Sequence, residues 1–188
     1  LKGSVRKRWD YVVLQSWQDE VLAADETNIE ENLIVGYAKY GKEMARIAKE
    51  QGAKVILYVT APDQQNATSV SGPVNETNMN NERNTIVQMA RELDVYGVVF
   101  VPEAVNMIQE GGTDLTFRYV NDFHPNQRSA YLTSNMFYAA IFGESTLGLN
   151  YNSVTETKEM TVDGQQVNPD GGPLTVVFEG EEKETLQQ

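Results

Sequence analysis

The segment Asn121-Asp122-Phe123-His124-Pro125-Asn126 holds the only histidine among 188 residues, two positions after a carboxylate and one before a proline. Imidazole ordinarily titrates near neutral pH, which makes histidine the usual proton acceptor and donor in hydrolytic chemistry. A carboxylate within reach of the ring can hold its tautomer and stabilise the imidazolium formed when it takes a proton. Asp122 stands where it can do this. Asn121 is the alternative, with an amide that can hydrogen-bond the ring but brings no charge. The structural alternative for His124 is a helix-capping or core histidine, and for Asp122 a cap or an acceptor of local loop N–H groups. Asn126 reads as the N-cap of the following helix. An equally recognisable nucleophile is absent from the chain.

The elements that must position these residues follow from the apolar patterning. Trp9 to Gln15 is apolar and β-branched without clear alternation, the pattern of a buried strand. Asn28-Ile29-Glu30-Glu31 has the form of a helix cap with a glutamate at the third position. Ile29, Leu33, Tyr37, Tyr40, Met44 and Ile47 then recur at helical spacing up to Gly52. Ala53 to Thr60 predicts a second continuous apolar strand, about Asn80 to Leu93 a second amphipathic helix, and Gly97 to Val101 a third strand. A short helix around Glu103 to Gln109 leads into the histidine loop. The helix after it, from about Gln127 to Phe142, is apolar nearly all round and is expected to be substantially buried.

Strands alternating with helices imply parallel pairing through right-handed crossovers. The expected fold is α/β, a three-layer α/β/α sandwich of the doubly wound, flavodoxin-like kind over residues 1–143. An irregular C-terminal appendage over 144–188 carries two weak β-like stretches, Lys158 to Val162 and Leu174 to Phe178, and an acidic tail. In such sheets ligands bind outside the carboxyl ends of the strands. Gln15 to Glu20, Ala61 to Asn78 and the chain from Pro102 onward meet that criterion.

Composition narrows the partners. A net charge of −12 argues against nucleic acid, whose binders neutralise phosphates with clustered Lys and Arg. No run reaches the roughly 18 apolar residues of a membrane span. The absence of cysteine removes thiolate chemistry and Cys-type zinc sites, and one histidine cannot build a His-rich metal site. Two sequons, Asn66-Ala67-Thr68 and Asn75-Glu76-Thr77, matter only in a glycosylating secretory pathway.

Asp122-Phe123-His124-Pro125-Asn126, followed by Ser129-Ala130-Tyr131-Leu132 and Phe137-Tyr138-Ala139-Ala140, resembles the last conserved block of SGNH/GDSL hydrolases. The likeness is to bacterial branches with His-Pro-Ser or His-Pro-Asn ahead of a "YL…FYA" helix. Trp9-Asp10-Tyr11-Val12-Val13-Leu14-Gln15 resembles the central strand of the same branches, and the likeness spans about Trp9 to Gly143. It implies a serine esterase or acyl hydrolase, acting on a small or carbohydrate ester such as an O-acyl group, with no cofactor or metal. His124 would be the acid/base, oriented by Asp122 or Asn121. Gln15, or else Gln18, would be the oxyanion donor.

The chain departs from the family in two places. No Gly-Asp-Ser or Gly-Asn-Ser signature follows a strand; Ser4 precedes the first strand and Ser16 follows it at the position of a different block. The family's aspartate stands three residues before its histidine, where this chain has Asn121. The simplest account is a nucleophile strand upstream of Leu1, with a helix beginning at Glu184 to Gln188 cut short. A degenerate, non-catalytic binding or structural protein on the same fold is the alternative. Family habit favours a secreted or periplasmic location, while a cysteine-free acidic chain is compatible with the cytoplasm as well. Oligomeric state is left open. Asp19-Glu20 reads as a solvated pair, and Asp63, Gln64, Gln65 and Asn66 as crevice-loop residues able to meet a polar substrate.

Overall fold

The computed structural model describes residues 8–15, 33–60, 76–120, 122, 124–157 and 160–188, with backbone alone at 33–38 and 76–82. Asn121, Ser4, Ser16, Gln18, Asp19-Glu20, the cap at Asn28 and the loop residues Asp63 to Asn66 lie outside the described residues. Within them the protein is mixed α/β. It has five helices, a short parallel sheet of three strands and two small antiparallel pairs. These elements divide into two compact units, parted between Phe100 and Val101.

The first unit is built from β1 (Tyr11–Gln15), α1 (Leu33–Glu50), β2 (Lys54–Val59), α2 (Glu76–Leu93) and β3 (Gly97–Phe100). The sheet order is β1-β2-β3, all parallel, with Leu14 opposite Leu57 and Tyr58 opposite Val99. Two crossovers of one hand stepping in one direction place both helices on one face of the sheet. The core is consistent with this: Leu14, Val55, Leu57 and Val59 meet Ala45 and Ala48 of α1 and Ile86 and Met89 of α2. Alanines in α1 let the helix axis approach β2 closely. The end of α2 is held by Lys49, whose ammonium donates to the carbonyls of Leu93 at 2.6 Å and Asp94 at 2.8 Å.

β2 is covered on both faces, as its continuous apolar run implies, but β1 is not. Val12 and Leu14 face the helices, whereas Val13 points to the opposite side and is 43% exposed. The expectation of a buried first strand is therefore corrected. A continuous apolar run does not distinguish a strand covered on both faces from one covered by helices on a single face.

The second unit holds α3 (Val101–Glu110), α4 (Gln127–Phe142), β4 (Ser153–Thr155), β5 (Met160–Val162), β6 (Gln165–Val167), β7 (Thr175–Val177) and α5 (Gly180–Gln187). β5 and β6 form a hairpin through Asp163 and Gly164, both at positive φ, 51° and 78°. An Asp-Gly pair suits a two-residue turn of this kind, whose twist matches that of the strands. β4 pairs antiparallel with β7.

The helix expected to be apolar all round presents a mixed inward face instead. Gln127, Tyr131 and Asn135, one turn apart, are buried with Ser129 and Leu132, while Phe142 is 62% exposed. The polar groups of that face anchor the chain after Gly143. Phe178 stacks on Tyr131 at 4.6 Å between ring centres. The Tyr131 hydroxyl donates to Tyr151 O at 2.8 Å and accepts from Gln187 Nε2 at 3.0 Å. Asn135 Nδ2 donates to Leu186 O at 3.1 Å.

Candidate functional site

The histidine loop connects two short stretches that face each other. Tyr119 N–H donates to His124 O and Asn126 N–H to Phe117 O, each at 3.1 Å, with Arg118 bridged antiparallel to Pro125. The chain then turns into α4. Asn126 is extended, and its Oδ1 accepts the Ser129 N–H at 3.1 Å, supplying one of the acceptors that the first turn of a helix lacks. Its Nδ2 donates back to Thr116 O at 2.8 Å and Arg118 O at 3.2 Å. One side chain thus caps the helix and closes the loop. Proline at 125 suits an extended approach to the cap.

At the loop tip the Asp122 carboxylate folds back on its own chain. Oδ1 accepts the His124 backbone N–H at 3.0 Å and meets Nδ1 of the His124 ring in a short contact. The backbone bond two residues on is the Asx-turn habit of aspartate. The ring contact sets the imidazole: with Nδ1–H directed at a carboxylate, the neutral ring carries its lone pair on Nε2. The aspartate side chain is 13% exposed and the histidine side chain 55% exposed. A largely buried anion beneath an accessible ring is the arrangement a general base requires. Asn121, the alternative partner, lies outside the described residues.

Gln15 ends β1 opposite Tyr58 and is exposed, at the carboxyl end of a parallel strand. It belongs to the first unit, whereas Asp122 and His124 belong to the second.

Three residues with no motif in the sequence surround the loop. The Tyr119 hydroxyl lies 2.6 Å from Glu156 Oε2 and 3.0 Å from Gln127 Oε1. Its single proton serves the carboxylate. Burial raises the Tyr119 phenol well above its ordinary range. The hydrogen bond to Glu156 and the negative charges of Glu156, Asp170 and Asp122 act in the same direction. Tyr119 is therefore a neutral donor near pH 7. Asp170 Oδ2 accepts the Val120 N–H at 2.9 Å. Sequence reading missed these contacts because the partners stand 37 and 50 positions apart along the chain. The one available signal was Asp170-Gly171-Gly172-Pro173, a turn sequence too long to be a simple hairpin loop.

Among the described residues, no group of three or more His, Asp or Glu side chains could hold a metal ion, and no helix is long and apolar enough to cross a membrane. A cleft of about 490 Å³ opens between α3, α4 and α5. Met107, Ile108, Leu132, Met136 and Leu186 form its apolar wall. Its lining does not include Asp122 or His124. At ~1.5 Å rise per residue, Leu132 stands roughly five residues and ~8 Å along α4 from the helix start. The accessible chemistry is thus at the mouth of α4, and the apolar concavity is along its side. No protein-family model, curated protein or solved structure matches the chain.

Proposed function

We propose that this chain carries the acid/base half of a serine ester hydrolase of the SGNH type. The observation that carries the reading is the Asp122 carboxylate on Nδ1 of an accessible imidazole at the mouth of a capped helix. In this reading Nε2 of His124 takes the proton of a serine hydroxyl as the hydroxyl attacks an ester carbonyl. Asp122 stabilises the imidazolium, and the proton then passes to the departing alkoxide oxygen. In this reading the nucleophile is a serine outside the described residues, on a strand and turn of the three-layer α/β/α sandwich that the SGNH likeness implies. Its own N–H would donate to the oxyanion. The substrate class is an O-acyl group on a carbohydrate or a related small ester, in a secreted or periplasmic setting, with no cofactor.

The test uses the protein encoded by the full gene, assayed on aryl and acetyl esters. His124→Ala is expected to lower kcat/KM by at least ~10³-fold. Unchanged hydrolysis in that variant sinks the assignment.

One observation favours a second reading, a binding or structural protein on the same fold. Asp122 Oδ1 also accepts the His124 backbone N–H, a bond that shapes the loop whether or not a proton is ever transferred. Hydrolysis that is absent from the complete gene product, with the loop intact, selects this reading.

A further inference from the structure

Val120 enters the loop tip two residues before Asp122, and its N–H is bonded to Asp170 from the segment after β6. Asp170 sits in a turn fixed by Asn168. Asn168 Oδ1 accepts from Asp170 N at 3.0 Å and Gly172 N at 2.9 Å. The backbone closes the turn through Asn168 N to Gly172 O and Gly171 N to Asn168 O, both 2.9 Å. Gly172 packs closely here, since a Cβ there would lie 3.1 Å from Asn168 Nδ2.

The turn is also tied to α4. Gln127, the first residue of the helix, donates through Nε2 to Pro173 O at 3.0 Å and Leu174 O at 2.9 Å. Asn168 Nδ2 donates to Pro173 O at 3.2 Å and faces Gln127 Oε1 at 3.4 Å. A closed circuit results. It runs from the start of α4 through the 168–173 turn to Asp170, across to Val120, from the neighbouring Tyr119 N–H to His124 O, and back through Asn126 to α4. The histidine loop is thereby anchored on one side by the helix cap and on the other, at Val120, by a carboxylate 50 positions further along the chain.

We propose that Asp170 is a positioning residue for the acid/base pair. By accepting the Val120 N–H it holds the loop tip where Asp122 Oδ1 meets Nδ1 of His124, so the C-terminal segment completes the site. The role rests on the hydrolase reading for its meaning in catalysis, but the geometry it claims is independent of any activity. An amide N–H on an ionised carboxylate is a charge-assisted bond, stronger than its neutral counterpart. Asp170 touches neither substrate nor reacting atoms, and acts through Val120 and Asp122.

Because His124 is the only histidine, its two ring nitrogens give one pair of ¹⁵N resonances in the intact chain. In the neutral ring the unaltered protein should show the Nδ1–H tautomer and a Val120 amide protected from hydrogen exchange. Asp170→Ala should speed exchange at Val120 by about tenfold or more and move the tautomer ratio toward Nε2–H. Asp170→Asn keeps an oxygen acceptor, and should retain both signatures. A wild-type tautomer ratio in Asp170→Ala overturns the role. So does a shift in Asp170→Asn as large as that in Asp170→Ala, because charge rather than the held N–H would then be responsible. If Asp170→Ala loses its amide dispersion, Asp170→Asn and the unaltered chain decide, and an unprotected Val120 amide overturns the proposal. Failure of the complete gene product to cleave esters would count against the hydrolase reading and leave these spectra intact. Unchanged spectra in a folded Asp170→Ala would sink the positioning role whatever the activity.

Discussion

Asp122 and Asn126 each do two things with one side chain, and this economy makes the loop sensitive to single substitutions. Asn126 caps α4 and ties two carbonyls of the preceding stretch. Asn126→Ala is expected to destabilise the protein by ~1–3 kcal/mol, the cap alone contributing about 1 kcal/mol, and a urea titration followed by circular dichroism checks it. Tyr119 gives a pH signature. Its phenol stays protonated in the folded protein well above the pH at which an unfolded tyrosine ionises. Above about pH 10 the unfolded state therefore binds fewer protons than the folded state, and stability falls as pH rises. The stability it contributes is fully present below pH ~10, and the decline should be shallower in Tyr119→Phe, measured as unfolding free energy from pH 8 to 11.5. At this scale the sequence showed what is local. The histidine, the carboxylate two positions before it and the cap two positions after it are neighbours in the chain. Glu156 and Asp170 could not be read there, because their relation to the loop exists only once β4 and the 168–173 turn are packed.

Among the elements, α4 carries the largest structural consequence. Its sequence reads as apolar, yet the face turned inward presents Gln127, Tyr131 and Asn135 one turn apart. These side chains act as sockets for the chain that follows Gly143, which is why a hydrophobic pattern alone could place the helix but not its partners. Gln127→Leu would leave the carbonyls of Pro173 and Leu174 without this donor, at a cost of ~1–3 kcal/mol in unfolding free energy by chemical denaturation. Phe178→Ala removes a fully buried ring stacked on Tyr131 and should cost ~3–5 kcal/mol in the same measurement. The parallel strands and amphipathic helices of the first unit were legible because their periods are local and their runs continuous. β4 and β6 lie outside the two β-like stretches that the sequence marks, which hold β5 and β7. The hairpin that β5 and β6 share, through Asp163 and Gly164, emerged only in the structure.

At the scale of the molecule, a residue-level site depends on a segment that looks peripheral in sequence. Tyr131, Phe178 and Leu186 form a buried set to which 144–188 contributes two members. A chain ending at Gly143 should therefore lose the dispersed amide resonances of α4, a result that amide-proton spectra would show directly. The net charge of −12 disfavours a polyanionic partner. The most direct test of the hydrolase reading needs no knowledge of the natural acyl group. The complete gene product is treated with a fluorophosphonate, which phosphonylates a serine only when a neighbouring base activates it. The expected result is one adduct, on a serine, formed in the unaltered protein and abolished in His124→Ala. No adduct in the unaltered protein, or equal labelling in the two, would contradict the assignment of Asp122 and His124 as its acid/base pair.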